Sequence, residues 1–552
     1  MITPPFFDCN VWIGEPEEEP VGSRLYRPPS GGLDSPDALL AEMDRTGIDR
    51  ALVYHVSARE DDVKTGNERL LDEIEAYPRL EPCWVISPDA IDEYGSVTAF
   101  VDAMTEAGVT AVRMFPGEHG YHLLDDRSEL LLTALERAGA ILILDALSGI
   151  LSDGFTYEDV GEVCTKHQHR TFDRPELRVV VTNLVRPTMG SFYRMKEVVE
   201  TVNSVGNLFI DTARLQVHDG LRQFVDECGV DRLLFGSHLP HASAGAGIAT
   251  VMQSSLTRTE RHKVAGENLS RMLGETAVDW ETAGRAPVRS LKTVPYEIID
   301  MHGHVREDGE PGDRYPDAHG IVEQMDRTGI ALCCVSRTGG EPPAGNDTVA
   351  KAARRFPDRL VPLAVANPNW DDVRGELERC FDELGMRMIK IHPVSHDTVP
   401  DDPSYDPVWE FANERECLIV THTLCHDDER DAWIERAKNH PNATLMLYHA
   451  GRAWNRVDNF VEVVEQCPNV LLEITFSYNI DGIIEHLVDA VGPERVFFGT
   501  DLGGRAPESQ VGWAAYARIS EEDRRLHMRE NALGLLEEMG ALPAAYEGER
   551  ST

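Results

Sequence analysis

Short apolar runs rich in valine, isoleucine and leucine alternate along the chain with longer amphipathic stretches. This alternation is typical of repeated strand–helix units that build a parallel sheet. In the second half it predicts eight strands, at residues 297–301, 331–335, 360–366, 388–392, 418–422, 444–449, 470–475 and 495–499. Eight such units fit an α/β fold with a closed (β/α)8 barrel, whose active site would lie at the carboxyl ends of the strands.

The two halves of the chain are copies of each other. Matched segments follow in the same order in both, as at residues 43–48 and 325–330 (MDRTGI in each), 66–67 and 345–346 (GN in each), and 108–116 and 385–393 (GVTAVRMFP and GMRMIKIHP). The separation of matched positions falls from 292 between Asp8 and Asp300 to 263 between Asn268 and Asn531. This drift indicates one ordered repeat with short loop deletions.

Each copy has the length expected of one barrel, which is typically about 250 residues, and is too long for a solenoid unit. A polar and basic stretch with prolines near both ends, at residues 283–295, separates the copies. We therefore predict two tandem (β/α)8 barrels of the TIM type, at residues 1–285 and 296–552.

Histidines and an aspartate stand where the strands of the second copy end. The first strand leads into residues 300–304 (DMHGH), and two imidazoles at i and i+2 of a strand point to the same face. The later strands end at His392, His422, His449 and Asp501. Neutral imidazoles with a carboxylate suit zinc, manganese or iron and leave open positions for water and substrate.

Several motifs of the second half together resemble a known family. They are DMHGH (300–304), KIHP (390–393), the segment ending THT (421–423), YHAG (448–451), FGTD (498–501) and ENA (530–532). In this order and spacing they resemble the amidohydrolase superfamily, in the branch that contains aminocarboxymuconate-semialdehyde decarboxylase and related decarboxylases and lactone hydrolases.

The resemblance implies one divalent metal ion, with zinc the first choice and manganese or iron the alternatives. Its ligands would be His302, His304, His422 and Asp501. His449 would orient a bound water or the substrate, and Asp501 would also serve as general base.

Three more side chains are assigned to the pocket. His392 stands where some branches bridge a second metal, but a neutral imidazole cannot replace a bridging carboxylate, so we expect one metal and place His392 with the catalytic residues. Lys390 lies two residues earlier and shares its face. Arg452 follows a site strand and is suited to a substrate carboxylate, and Arg505 is the other candidate. Glu473 either supports the site or faces a helix.

The first copy has lost these residues. Its matched positions hold Asn10, Trp12, Phe115, Asp145, Asn183 and His238. Because the indole and the phenyl ring would fill the metal site with apolar bulk, we predict a metal-free first barrel. It would serve as a scaffold, cover the catalytic mouth, or bind a ligand without turning it over.

Charge and cysteine usage limit the setting. The net charge of −42 argues against nucleic acid and anionic membranes as partners. The ten cysteines form no Cys-x-x-Cys pair, so neither a disulfide framework nor a zinc finger is expected. The amino terminus lacks the features of a signal peptide, and no apolar run reaches the roughly 18 residues of a membrane span. We expect a cytoplasmic protein, either a pseudo-dimeric monomer or a homo-oligomer.

The leading function is metal-dependent hydrolysis of a small ester, lactone or amide by a metal-activated water. Non-oxidative decarboxylation of a small unsaturated or aromatic acid is the first alternative. A ligand-binding protein without turnover is the second, and the intact set of site residues in the second copy speaks against it.

The composition also predicts a response to salt. The chain has 95 acidic residues and 53 basic ones, of which only eight are lysine, a balance that indicates adaptation to high salt. Because salt screens the repulsion between carboxylates, stability and activity should rise as potassium chloride is raised to molar levels. Thermal unfolding across a salt series measures this, and a midpoint that stays constant or falls would contradict it.

Overall fold

The computed structural model describes residues 3–15, 33–89, 91–168, 176–184, 195–275, 290–307 and 316–546. The chain forms two compact units that divide between Leu291 and Lys292. Residues 283–289 of the predicted linker lie outside the described ranges. No helix of the described residues is long and apolar enough to cross a membrane.

The first unit is a parallel eight-stranded barrel. Its strands pair in sequence order: β1 (Phe6–Ile13), β2 (Ile48–His55), β3 (Leu80–Val85), β4 (Ala111–Met114), β5 (Ile141–Asp145), β6 (Arg178–Thr182), β7 (Leu208–Asp211) and β8 (Leu233–Leu234). Its helices are α1 (Pro36–Thr46), α2 (Val56–Glu60), α3 (Val63–Ile74), α4 (Ile91–Tyr94), α5 (Val97–Glu106), α6 (Asp126–Ala138), α7 (Ala146–Leu151), α8 (Tyr157–Lys166), α9 (Lys196–Ser204), α10 (Gly220–Cys228), α11 (Ala244–Met252), α12 (Arg258–His262) and α13 (Asn268–Met272). The backbone bond from Cys9 N to Phe235 O (3.0 Å) joins the first strand to the last.

The second unit repeats this architecture. Its strands are β9 (Ile298–His304), β10 (Ile330–Ser336), β11 (Leu360–Pro362), β12 (Ala364–Val365), β13 (Met388–Ile391), β14 (Leu418–His422), β15 (Thr444–Tyr448), β16 (Val470–Glu473) and β17 (Val496–Phe497). Its helices are α14 (Ala318–Thr328), α15 (Pro342–Arg355), α16 (Val373–Asp382), α17 (Asp406–Arg415), α18 (Asp427–Asn439), α19 (Trp454–Gln466), α20 (Ile483–Val491), α21 (Pro507–Tyr516), α22 (Glu521–Arg525) and α23 (Asn531–Glu538). The predicted fold class, two α/β barrels in tandem, is confirmed.

Two strands of the second barrel differ from their predicted bounds. The first continues through the DMHGH motif to His304, three residues beyond the predicted end, because His304 N donates to Leu502 O (2.8 Å) and Leu502 N donates to His302 O (3.0 Å). The predicted third strand is interrupted at Leu363, since β11 pairs with β10 and β12 pairs with β13. Both metal-motif histidines therefore lie on the strand itself.

One buried aspartate in each copy connects the first strand to the last. Asp300 Oδ1 accepts hydrogen bonds from His302 N (2.9 Å) and Thr500 N (3.0 Å). Asp8 Oδ1 accepts from Asn10 N and Ser237 N, both at 3.0 Å. Because the accepting oxygen bonds one residue of the first strand and one that follows the last strand, this carboxyl group fixes the closure of each barrel.

The repeated MDRTGI hexapeptide ends a helix and begins a strand in both copies. Gly47 and Gly329 follow α1 and α14 with φ of 102° and 78°, a left-handed conformation that glycine adopts without strain. Thr46 Oγ1 and Thr328 Oγ1 bond back to the carbonyl four residues earlier. The sequence identity here therefore has a local structural cause.

The repeated Gly-Asn pair fastens a helix to a strand. The side-chain amide of Asn346, on α15, donates to Val365 O (3.3 Å) and Glu376 Oε1 (2.8 Å) and accepts from Val365 N (2.8 Å). Asn67, on α3, exchanges the same pair of bonds with Val85 at 2.8 Å each. Both asparagines are buried.

Replacing either asparagine with alanine should destabilise its barrel. Asn346→Ala leaves the buried backbone groups of Val365 without their partner, at a cost of about 1–3 kcal/mol per unpaired group. Urea unfolding measures the loss, and Asn442→Ala, at an exposed position, is the matched control. Equal stability of the two variants would contradict this account.

Candidate metal centre

The carboxyl ends of the strands of the second barrel, its mouth, bring five histidines and one aspartate together. The ring centroid of His302 lies 5.3 Å from that of His304 and 5.1 Å from that of His449. His422 lies 4.5 Å from His449 and stacks on His392 at 4.3 Å. Positions separated by up to about two hundred residues thus form one continuous cluster, as the barrel prediction requires.

Among the described residues, His302, His449 and Asp501 form a group that could hold a metal ion. One donor atom from each lies within 4.8 Å of the others. His304 Nε2 lies 3.1 Å from Asp501 Oδ1, so His304 borders this group. Imidazole nitrogens with a carboxylate oxygen are the donor set of zinc and related divalent ions, so these residues fit the expected metal. His449, which was predicted to orient water, belongs to this donor group. His422, which was predicted to be a metal ligand, lies beside the group, with its ring centroid 4.5 Å from that of His449.

Glu473 and Thr475 orient two of the imidazoles. Glu473 Oε2 lies 3.2 Å from His302 Nδ1 and accepts a bond from His449 N (3.3 Å). The Nδ1 atom of His449 lies 3.0 Å from the carbonyl oxygen of Thr475. With each Nδ1 engaged, the Nε2 atoms remain to face a metal, an arrangement that typically supports ligand histidines. Glu473 is therefore a supporting residue of the site, the first of the two alternatives that the sequence left open.

Asp501 is held as an anion. Burial by itself raises the pKa of its carboxyl group, but His302, the hydrogen bond with His304, and Arg505 together hold that pKa well below its usual range. The Nε–H of Arg505 donates to Asp501 Oδ2 at 2.8 Å. Arg505 thus pairs with the site aspartate, a role that the sequence did not predict.

The imidazoles of His302, His422 and His449 are neutral, as metal ligation requires. Burial is the largest cause of the lowered pKa of His302, His422 and His449. The charge of Lys390 adds to the effect and helps to bring the pKa of His422 to about 3. Nearby like charge and desolvation both disfavour the imidazolium form.

Lys390 is buried inside the barrel, on β13. Its Nζ lies 4.0 Å from the ring centroid of Tyr448, and burial lowers its pKa to about 7 against the opposing charges of Asp501 and Glu473. The side chain was predicted to bind substrate, and its charge contributes to the lowered pKa of His302, His422 and His449.

Two arginines and a phenylalanine border the cluster. The guanidinium carbons of Arg452 and Arg505 lie 5.4 Å and 5.9 Å from the ring centroid of Phe476. The charge of Arg452 reaches His422, where it contributes to the lowered pKa. His392 Nδ1 accepts a hydrogen bond from Ser395 N (3.1 Å). Phe476 was not predicted, because an aromatic residue in a loop carries no metal or acid–base signal.

In the first barrel the matched positions form a hydrogen-bonded network of amides and carboxylates. Asn10 Nδ2 donates to Asn183 Oδ1 and Asp211 Oδ2, both at 2.9 Å. Asn183 Nδ2 donates to Asp145 Oδ2 (2.7 Å), and Arg113, which matches Lys390, donates to Asn10 Oδ1 (3.1 Å). That this barrel is metal-free stays a prediction.

The two barrels share an unusual backbone conformation at two matched positions of the site, although the side chains there differ. His449 and Asp501 have φ of 71° and 55°, and their counterparts Asn183 and His238 have 55° and 65°. Positive φ is uncommon outside glycine and costs free energy, so both copies retain the same strained turns at the ends of two strands.

Comparison with known proteins agrees with this architecture. A family model described as Amidohydrolase matches residues 7–274 and again residues 299–537. No curated protein sequence matches the chain.

Three solved structures are similar to part of the chain at low sequence identity. An uncharacterised TIM-barrel protein from Bordetella bronchiseptica is 18% identical, covers 44% of this chain and 100% of its own, and has a TM-score of 0.38. A 2,6-dihydroxybenzoate decarboxylase from Rhizobium is 18% identical over 44% and 98%, with a TM-score of 0.34. A manganese-bound 5-carboxyvanillate decarboxylase from Novosphingobium aromaticivorans is 15% identical over 44% and 97%, with a TM-score of 0.35.

The family match covers both copies and most of the chain. The resemblance inferred from the motifs is therefore confirmed, and the protein belongs to the amidohydrolase family as a tandem of two barrels.

Proposed function

We propose that the second barrel is a metal-dependent hydrolase of a small ester, lactone or amide. The observation that carries this proposal is the group of His302, His449 and Asp501, whose donor atoms lie within 4.8 Å of one another. Zinc is our first choice of metal, with manganese and iron as alternatives. When bound, such an ion lowers the pKa of a bound water to about 7 and polarises a substrate oxygen.

Asp501 is assigned as general base. Its carboxylate is ionised, and Arg505 holds Oδ2 at 2.8 Å. Oδ1 faces His304 Nε2 at 3.1 Å and His302 Nε2 at 3.8 Å. A carboxylate fixed in this way can take the proton of a water molecule placed beside it and return that proton to the leaving group.

We assign Nε2 of His449 to the metal, because the bond of its Nδ1 to Thr475 O fixes the ring within the donor group. His392 and Arg452 are assigned to the substrate. His392, stacked on His422, would line the pocket. Arg452 beside Phe476 suits a carboxylate on a planar group, since a guanidinium binds a carboxylate through two parallel hydrogen bonds.

Decarboxylation is the second candidate, and the pair of guanidinium groups beside Phe476 favours it. Arg452 would hold the carboxylate of a small unsaturated or aromatic acid. The bond to this carboxylate breaks, carbon dioxide leaves, and the electron pair stays on the substrate carbon. That carbon then takes a proton from a water molecule, the hydroxide left behind passes to solvent, and the anionic Asp501 would assist by orienting this water.

The two copies should respond oppositely to equivalent mutations. His302→Ala and Asp501→Asn should lower kcat/KM by at least about 10²-fold, because they remove a metal donor and the general base. Asn10→Ala, at the position matched to His302, should leave it unchanged. Steady-state kinetics on a substrate found by screening lactones and carboxylic acids measures this. Equal losses in Asn10→Ala and His302→Ala would contradict it.

The products distinguish hydrolysis from decarboxylation. In water labelled with heavy oxygen, hydrolysis should place the label in the product and release no carbon dioxide. Mass spectrometry and a carbon dioxide assay measure the two outcomes. Carbon dioxide release without label uptake would replace the first proposal by the second, and the absence of both with the fully metal-loaded protein would overturn both.

A further inference from the structure

The ring of Tyr448, on β15, lies against a face of the His302 ring. The two ring centroids are 3.9 Å apart, and the ring planes are inclined by 35°. Tyr448 is fully buried and His302 is 2% exposed, so neither ring exchanges this contact for water. The nitrogens of an imidazole lie on the edge of its ring. A phenol on the face therefore packs against His302 and leaves both nitrogens available to other groups.

Two further contacts fix how these rings stand. The hydroxyl group of Tyr448 donates a hydrogen bond to the carbonyl oxygen of Met301, the residue that precedes His302 on β9. The Nδ1 atom of His302 lies 3.2 Å from Glu473 Oε2. Because Glu473 engages the edge of the imidazole and Tyr448 covers its face, the imidazole cannot turn about its Cβ–Cγ bond without losing one of these contacts.

A buried lysine contacts the same phenol ring. The Nζ atom of Lys390 lies 4.0 Å from the ring centroid of Tyr448, and Lys390 is 1% exposed. The face of an aromatic ring carries partial negative charge and attracts cations. An imidazole that binds a metal ion takes up part of the positive charge of that ion. The face of Tyr448 therefore favours the metal-bound form of His302 as well as the ammonium group of Lys390.

The first barrel separates the part of the hydroxyl group from that of the ring. Thr182 stands at the position matched to Tyr448, and Asn10 stands at that of the imidazole. The carbonyl oxygen of Cys9, matched to the acceptor on β9, still receives a side-chain hydrogen bond, from Arg113 Nη2 (3.2 Å). A bond to this carbonyl is thus common to both barrels. The aromatic ring belongs to the copy that has an imidazole to hold.

We propose that Tyr448 is a positioning residue of the metal centre, and that its ring carries this role. The ring keeps His302 in the donor group, where His302 Nε2 lies 3.8 Å from Asp501 Oδ1. The hydroxyl group of Tyr448 contributes to the stability of β9 instead. This proposal rests on the metal site proposed for the second barrel.

Cobalt(II) binding by the full-length protein, stripped of metal with a chelator, tests this role. Tyr448→Leu and Tyr448→Met both remove the ring. They should weaken cobalt binding about tenfold or more, as is typical when a group that orients a ligand is lost. They should also change the visible absorption spectrum of the bound ion, which reports the arrangement of its ligands. Tyr448→Phe keeps the ring and should retain the affinity and the spectrum of the wild type.

Phe411→Leu is the matched control for the loss of a buried ring. Phe411, on α17, is 1% exposed and packs against Phe381 with ring centroids 5.0 Å apart. Its replacement should lower the free energy of unfolding and leave cobalt binding as in the wild type. Wild-type affinity and spectrum in the folded Tyr448→Leu or Tyr448→Met variant, or an equal loss in Tyr448→Phe, would overturn the proposal.

Nitrogen NMR of the metal-free protein, with heavy nitrogen in its histidines, separates this proposal from the function on which it rests. The wild type and Tyr448→Phe should show a single ring tautomer for His302, whereas Tyr448→Leu should show both. A single tautomer in Tyr448→Leu would count against the positioning role. If the wild type binds no cobalt but shows the expected tautomers, the proposed function fails and the positioning of His302 by Tyr448 stands.

Discussion

The closure of the barrel by Asp300 is the interaction on which the site of the second copy depends. This buried carboxyl group bonds His302 N and Thr500 N, and so joins two chain segments that are 198 positions apart in sequence. Its two partners are His302, a candidate metal donor, and the neighbour of Asp501. The same bonds that close the barrel therefore set the distance between His302 and Asp501. The matched carboxyl group of Asp8 closes the first barrel in the same way, by bonding Asn10 N and Ser237 N.

Much of this architecture follows from the sequence because the determining signals are local. The helix end at MDRTGI requires glycine at Gly47 and Gly329, and the apolar strands recur at regular spacing in both copies. The position of the site followed in turn, because parallel strands place their carboxyl ends at one mouth. The interruption of the third strand at Leu363 did not follow, since it arises from a change of pairing partner that no local pattern encodes.

The finer arrangement of the site depends on contacts between distant residues. Glu473 supports His302 through a contact between residues 171 positions apart, and no local sequence pattern around either residue predicts it. Arg505 was a candidate for a substrate carboxylate, but Asp501 lies four residues before it and accepts a hydrogen bond from its Nε–H. The placement of His449 among the donors and of His422 beside them likewise depends on how the rings pack. Sequence patterns give the residue types at the mouth, and packing decides which of them meet.

The central claim is that the second barrel holds one metal ion and the first holds none. Elemental analysis of the purified full-length protein, together with the anomalous scattering of its crystals, tests this claim most directly. The account predicts one ion per chain, with its anomalous peak among His302, His449 and Asp501. Less than about a tenth of an ion per chain after growth with zinc and manganese, or a peak beside Asn10 and Asn183, would contradict it.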